Sequence, residues 1–80
     1  MTYQPTIALD SSQVLRRRQA VPMSQQELAE AAGVGLSTIK AIEQAASGVK
    51  GVHARTARSL AKAFGCAVSD LYLKDIEVAS

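Results

Sequence analysis

A predicted helix over about residues 36–45 carries one polar and one apolar face. At 100 degrees per residue, one side collects a hydroxyl, a lysine, a methyl group and an amide, from Ser37, Lys40, Ala41 and Gln44. Most of these side chains are short, so another surface can approach the helix backbone closely. The chemistry that this face offers is hydrogen bonding and charge attraction toward a partner.

The distribution of charge indicates what that partner is. The 80 residues have a net charge of only +2, but residues 16–62 contain eight Lys/Arg and three acids, a local balance of +5. The remaining charged residues lie near the two ends and are mostly acidic. A basic middle favours a polyanion, although an ordinary solvated basic surface has the same composition.

Reactive side chains are few elsewhere. A catalytic set can be written down from His53, Cys66 and Asp70, but the chain has no Gly-rich phosphate loop and no paired-carboxylate motif. One His and one Cys are too few for a zinc centre, and Cys66 is interpreted as a small buried apolar residue. The sequence therefore predicts no enzyme, no metal and no cofactor.

The sequence also bears on the compartment. No apolar run approaches the ~20 residues that a membrane helix needs, and the first ten residues lack the basic region and apolar core of a signal peptide. The single Cys66 cannot form an internal disulfide. We therefore expect a cytoplasmic protein with no membrane partner.

Capping residues predict where the first two helices begin. Asp10 has capping-box spacing and precedes a helix over about residues 11–20. Ser24 and Glu27 form a second capping box, which predicts that the next helix starts at Gln25.

Glycines separate the later helices. Gly33 is expected as a left-handed C-terminal cap, Gly35 as the cap of the following helix, and Gly65 as a later helix end. Residues 47–51, SGVKG, are predicted to be a flexible loop. The last three helices are predicted over about residues 36–45, 53–64 and 70–73.

The predicted fold is all-α, a single five-helix domain over residues 11–73 with short extended N- and C-terminal segments. Residues 1–10 are predicted to be extended. Residues 74–80 alternate polar and apolar side chains, which is compatible with a strand, and the segment over residues 6–9 is its predicted pairing partner.

Two stretches resemble a known family. SQQELAEAAGV followed by STIKAIE, and later LAKAFGCAVSDLY, resemble the lambda-repressor/Cro-like helix-turn-helix proteins, also called the xenobiotic-response-element-like class. The similarity covers about residues 14–73. It includes a small residue where the two helices touch, Ala29, a glycine in the turn, Gly33, and apolar residues behind the second helix: Val34, Ile39 and Ile42.

The resemblance implies that the helix over about residues 36–45 enters the major groove of double-stranded DNA. It assigns base reading to the leading residue and the polar face: Leu36, Ser37, Lys40, Ala41 and Gln44. It assigns phosphate contacts to residues around them: Gln25, Thr38, Arg17 and Lys50. It also implies a structural pair between Arg18 and Glu43.

The chain departs from the family pattern in two places. Relatives usually begin this helix with a polar residue, where this chain has Leu36, and the loop AASGVKGV is about three residues longer than usual. Further candidates for phosphate contacts are Arg55 and Arg58. His53 is either a helix-start residue or a phosphate contact, and the first role is favoured.

The expected function is sequence-specific binding of double-stranded DNA by a homodimeric transcriptional repressor or regulator. Two alternatives remain open. One is an antitoxin, which binds a toxin or other regulatory protein as well as its own operator. The other is a protein-interaction module of the same fold, for which Leu36 and the small residues of the helix are the main support.

Overall fold

The structure is a computed structural model, and it describes residues 6–72. Its elements are four α-helices, two strands and one 3-10 turn. In chain order they are β1 (Thr6–Asp10), α1 (Ser11–Ala20), α2 (Gln25–Ala32), α3 (Leu36–Glu43), β2 (Val49–His53), α4 (Ala54–Phe64) and the 3-10 turn (Val68–Asp70).

The predicted all-α, five-helix fold is wrong, because β1 and β2 form an antiparallel sheet. The register pairs Thr6 with His53 at one end and Asp10 with Val49 at the other. Residues predicted to be a flexible loop are therefore part of a strand. The segment has only two apolar residues, Val49 and Val52, a local pattern too weak to predict a strand. The strand that stabilises it lies about forty residues away along the chain.

The predicted fifth helix, residues 70–73, is not formed over residues 70–72, the part of it that the structure describes. Instead, Val68–Asp70 form a single 3-10 turn. The Asp70 carboxylate accepts the backbone N–H of Ala67 at 3.1 Å. The chain then enters the core at Leu71, which is fully buried and whose carbonyl accepts the Asp10 N–H at 2.8 Å. This long-range contact replaces a further turn of helix.

The other edge of β1 meets the end of the described chain. Leu9 forms an isolated antiparallel bridge with Tyr72, on the side of β1 that does not pair with β2. The predicted strand over residues 74–80, and its pairing with residues 6–9, lie outside the described residues.

The predicted cap positions are confirmed, but Asp10 caps the first helix by accepting the Ser12 N–H at 3.1 Å and not through the predicted capping box. The first helix spans Ser11–Ala20, and the second starts at Gln25 with both hydrogen bonds of the capping box between Ser24 and Glu27. Gly33 has a φ of 70°, in the left-handed region where glycine is favoured. The third helix ends at Glu43, two residues earlier than predicted, and the fourth begins at Ala54.

The core lies between the sheet and the inner faces of the helices. Its largest fully buried side chains come from every layer of the fold: Leu9, Val14, Leu28, Ile39, Ile42, Leu60 and Leu71. Buried alanines on α2 and α4, such as Ala29 and Ala57, allow the helices to approach closely. A buried hydroxyl, that of Ser11, donates to the Ile42 carbonyl at 2.6 Å and fastens α1 to α3.

Candidate functional site

The outer face of α3 is exposed to solvent along its length. We use this name for three residues of α3, Ser37, Lys40 and Ala41, and for the residue that caps its C-terminal end, Gln44, all of which are exposed. The opposite side of the helix holds Ile39 and Ile42 at 0% exposure. The helix is therefore fixed from behind by the core, while its outer face keeps no packing role and is available to a partner.

Two predicted site residues of α3 lie beside the outer face rather than on it. Leu36, at the start of the helix, is half-buried and packs against the core. Thr38 is also half-buried, and its side chain lies on the side of the helix toward β2. Part of each side chain remains accessible, so neither position is closed to a partner.

A groove of about 380 Å³ lies between α3, β2 and the start of α4. It brings together three residues of α3 with Lys50, all of them predicted site residues. The groove is lined by Ser37, Thr38, Ala41, Lys50, Gly51, Val52, His53 and Thr56. Its polar groups are three hydroxyls, one ammonium and one imidazole, a set suited to an anionic ligand.

The sequence predicts part of the contribution of β2 to this groove, through Lys50, but it does not identify Thr56 of α4. For His53, a role at the helix start is favoured over the alternative of a phosphate contact. Their proximity to α3 depends on the pairing of β2 with β1, which holds residues 49–53 straight beside the helix. One feature of the sequence could have indicated this contribution. Residues 44–69 contain no acidic residue, so the whole segment is basic.

His53 performs the helix-start role in a way that fixes the state of its ring. Its Nδ1 accepts the backbone N–H of Arg55 at 3.0 Å and so caps α4. A nitrogen that accepts a hydrogen bond carries no proton, so in the neutral ring the hydrogen is on Nε2. The exposed His53 side chain therefore retains one donor next to the groove.

Several cations form no ion pair with a carboxylate of the described residues. Within residues 6–72 there are two ion pairs, Arg17–Asp70 and Arg18–Glu43. Lys40 and Lys50 are exposed and belong to neither pair, and the same is true of the exposed side chains of Arg55, Arg58 and Lys62 on α4. The outer face of α3 and the groove therefore each carry a lysine, Lys40 and Lys50, that pairs with no carboxylate of residues 6–72.

Arg18 and Glu43 form a bidentate ion pair behind this surface. Arg18 Nε and Nη2 donate to the two carboxylate oxygens at 2.6 and 2.9 Å, and Nη1 donates to the Met23 carbonyl at 2.9 Å. The Glu43 side chain is only 4% exposed. The hydrogen bond and the nearby charge of Glu43 raise the pKa of Arg18, against the opposing effect of burial. The pair ties α1 to the C-terminal end of α3.

Gln25 belongs to the same network. Its amide nitrogen donates to Glu43 Oε1 at 3.0 Å, so the start of α2 is held against the end of α3. The amide has a second N–H and a carbonyl oxygen beyond this bond. This contact fixes the side chain at the junction of the two helices.

Arg17 lies in a different environment from the other candidates for phosphate contacts. Its guanidinium is 4.0 Å from the Asp70 carboxylate, and its Nε is buried without a hydrogen-bond partner. The contacts of Arg17 therefore connect α1 to the 3-10 turn, and Arg17 does not line the groove.

Cys66 is half-buried beside the same pair of charges. Burial raises the pKa of the Cys66 thiol, Arg17 opposes the increase, and Asp70 adds to it. A raised thiol pKa lowers the fraction of thiolate, which is the nucleophilic form. Among residues 6–72 no three His, Cys, Asp or Glu side chains are grouped so as to hold a metal ion.

Comparison with protein families gave one result. A family model described as helix-turn-helix matches residues 14–71, more than half of the chain. Searches of curated proteins and of solved structures gave no match. Within residues 6–72, no helix has the length and apolar character needed to cross a membrane.

Proposed function

Because the chain belongs to the lambda-repressor/Cro-like helix-turn-helix family, we propose that it binds a specific double-stranded DNA sequence through α3. At the level of the family, the chain is a helix-turn-helix DNA-binding regulator of a non-enzymatic kind. The more specific proposal is a cytoplasmic transcriptional repressor that acts as a homodimer. Two copies on a pseudo-palindromic site would span half-sites about 34 Å apart.

The observation that carries the proposal is the outer face of α3 together with the ammonium group of Lys40. The face is exposed over its whole length and is held from behind by Ile39 and Ile42. A helix fixed in this way can enter the major groove without losing core contacts. Lys40 is exposed and belongs to no ion pair of the described residues, so its ammonium is available to DNA.

The proposed base contacts follow from the chemistry of each side chain. Lys40 donates to the guanine O6 and N7 acceptors, Ser37 bonds to several bases, and Gln44 suits adenine. Ala41 and the accessible part of Leu36 contact thymine methyl groups. Because two of these five side chains are apolar, DNA shape and methyl contacts supply part of the specificity.

The proposed phosphate contacts set the register of the protein on the duplex. Lys50 and Thr38 support this role because they line the groove beside α3. Gln25 supports it because Glu43 fixes its amide at the start of α2, where backbone donors favour an anion. Arg17 must leave its 4.0 Å contact with Asp70 to take part, so we rank it below the others.

Selection of bound sequences from a random duplex pool tests the proposal directly. The wild-type chain is expected to enrich one motif with two related half-sites. Lys40→Ala is expected to weaken binding to that motif by about 1–3 kcal/mol and to relax the preference at one base pair. Ser37→Ala should have a smaller effect at a neighbouring position.

Gln19→Ala is the matched control, because Gln19 is exposed on α1 and has no proposed role. If no motif is enriched, or if neither α3 substitution changes affinity or preference relative to this control, α3 is not the recognition helix. Purification of the chain with a small toxin would instead favour the antitoxin alternative.

A further inference from the structure

We propose that two copies of this chain associate through α2 and α4, with an acidic face of one copy against a basic face of the other. The acidic face is Glu27 and Glu30 of α2, and the basic face is Arg55, Arg58 and Lys62 of α4. All five side chains are exposed. The inference rests on the homodimer of the proposed function, whose contact surface it names, and not on the proposed DNA contacts.

The first argument is the state of the acidic face. Glu27 and Glu30 are three residues apart, so they are neighbours on one side of α2, while Leu28 and Ala29 lie in the core. Each carboxylate accepts a local hydrogen bond, at 2.8 Å for Glu27 and 3.0 Å for Glu30. Neither forms an ion pair with a cation of residues 6–72. Because a carboxylate has about four acceptor sites, both can still bind a cation from another molecule.

The second argument is the unpaired charge of the basic face. Arg55, Arg58 and Lys62 are spaced by three and four residues, so they form one stripe along α4. The stripe extends over about 10 Å, at a rise of 1.5 Å per residue. None of its cations pairs with a carboxylate in the part of the chain that the structure describes. Like charges at this spacing repel one another, and a partner that supplies carboxylates would relieve the repulsion.

The third argument is the position of the two faces in one molecule. α2 and α4 pack against each other through the core, yet among residues 6–72 no carboxylate of α2 pairs with a cation of α4. The complementary faces are therefore on neighbouring helices and unpaired within the chain. A two-fold axis that places α2 of one copy on α4 of the other also creates the reverse contact. One surface is then self-complementary, and each ion pair occurs twice.

The side chains between the charges allow the helices to approach. Ala31 lies one turn after Glu27 on α2, and Ser59 lies one turn after Arg55 on α4, so each face has a small residue beside its charges. The methylene groups of arginine and lysine can cover the alanine while their charged ends stay in water. Charge complementarity of this kind determines orientation and choice of partner more than affinity. The contact leaves α3 uncovered in both copies.

Two charge reversals test this surface in the absence of DNA. Sedimentation equilibrium of the wild-type chain should show a reversible dimer that weakens as salt is added, because salt screens exposed charges. Arg58→Glu and Glu30→Arg should each weaken self-association by at least about tenfold, because each replaces two attractive pairs by two repulsive ones. Both positions are exposed, so the melting temperature should not change.

Arg16→Glu is the matched control, because it reverses the charge of an exposed arginine of α1 that belongs to no ion pair of the described residues. It should change self-association by less than about threefold. A mixture of the Glu30→Arg and Arg58→Glu chains is the most specific test. In the mixed dimer, positions 30 and 58 carry opposite charges at both contacts. The mixture should therefore associate within about threefold of the wild-type chain, although neither variant associates well alone.

The outcomes separate this inference from the proposed DNA contacts. The inference is overturned if the wild-type chain remains monomeric at about 1 mM in low salt, if neither reversal weakens its self-association, or if the mixture does not recover. In each of these cases, binding of the selected duplex through α3 is judged by its own measurement. If the copies associate as described but the wild-type chain binds no duplex, the DNA-binding proposal fails and the contact surface stands.

Discussion

Replacement of Glu43 by glutamine should strongly destabilise the domain. The Glu43 carboxylate accepts three hydrogen bonds, at 2.6 and 2.9 Å from Arg18 and at 3.0 Å from Gln25. Glutamine has the same shape but replaces one oxygen by an NH₂ group, so at least one donor of Arg18 would face another donor. The positive charge of Arg18 would also lose its partner.

The burial of the pair sets the magnitude. Side-chain exposure is 4% for Glu43 and 15% for Arg18. Breaking a buried ion pair on one side costs about 3–5 kcal/mol, and we expect the lower end, about 3 kcal/mol, because water still reaches Arg18. For a domain of this size, about 4–8 °C per kcal/mol implies a fall in melting temperature of about 12–24 °C.

Thermal and urea unfolding, followed by far-UV circular dichroism, measures this change. The double variant Arg18→Met with Glu43→Met is the control, because removal of both charges leaves no unpaired buried ion. It should be more stable than Glu43→Gln alone. A loss below about 1 kcal/mol for Glu43→Gln, the range typical of exposed pairs, would refute the view that this pair holds α1 to α3.

Three further predictions concern individual positions. Gly33→Ala should lower the free energy of unfolding by about 1–2 kcal/mol, because the φ of 70° is unfavourable for a residue with a side chain although no atom lies within 4 Å of the added Cβ. Gly33→Asn should lower it less. A Gly33→Ala variant as stable as the wild-type chain in chemical denaturation would contradict this prediction. Ser11→Ala should lower the free energy of unfolding by about 1–2 kcal/mol, because the buried Ile42 carbonyl loses the hydroxyl that donates to it at 2.6 Å. An unchanged midpoint of urea unfolding would contradict this prediction. Cys66 should react with a thiol reagent more slowly in the folded chain than in urea, because burial raises its pKa. The raised pKa of Cys66 also makes the stability of the domain depend on pH. The contribution of the neutral thiol to the free energy of unfolding is complete below the thiol pKa of the unfolded chain, roughly 8.5, and is lost as the pH rises through the higher pKa of the folded chain. The Cys66→Ala variant should lack this part of the alkaline loss of stability, and identical pH profiles for the two chains would contradict the prediction.

Local signals in the sequence predict the helical part of the fold well. The capping box of Ser24 and Glu27 and the left-handed Gly33 are short-range features, in which residues within three or four positions satisfy each other's backbone groups. The helix-turn-helix that they delimit is also where the chain resembles its family, and the match over residues 14–71 confirms that resemblance.

The sheet could not be predicted in the same way. β1 lies in the segment that is predicted to be extended, but its predicted partner is residues 74–80 and not β2. β2 is five residues long and lacks the alternation that predicts a strand, and part of it is predicted to be a loop. Each strand is stabilised by the other, across a separation that sequence periodicity does not encode. The helix wrongly predicted over residues 70–72 has a similar origin, because the Asp10–Leu71 hydrogen bond is a tertiary contact.

The candidate site also has a part that local sequence signals predict and a part that depends on tertiary contacts. The outer face of α3 follows from helical periodicity and from the resemblance, so the predicted positions of Ser37, Lys40, Ala41 and Gln44 are exposed together. The groove depends on the sheet, so Thr56 and the position of Lys50 and His53 beside α3 follow only from the three-dimensional structure. His53 illustrates this, because its capping bond is local whereas its position beside α3 is not.

The salt dependence of duplex binding tests the central proposal most directly. Each phosphate neutralised by the protein releases condensed counterions, so about six contacts predict a slope of roughly −5 in a plot of log affinity against log salt concentration. The measurement uses the full chain and the selected duplex, over a range of salt at constant pH. We predict a slope of roughly −5, and a slope near zero would contradict binding of DNA by this domain.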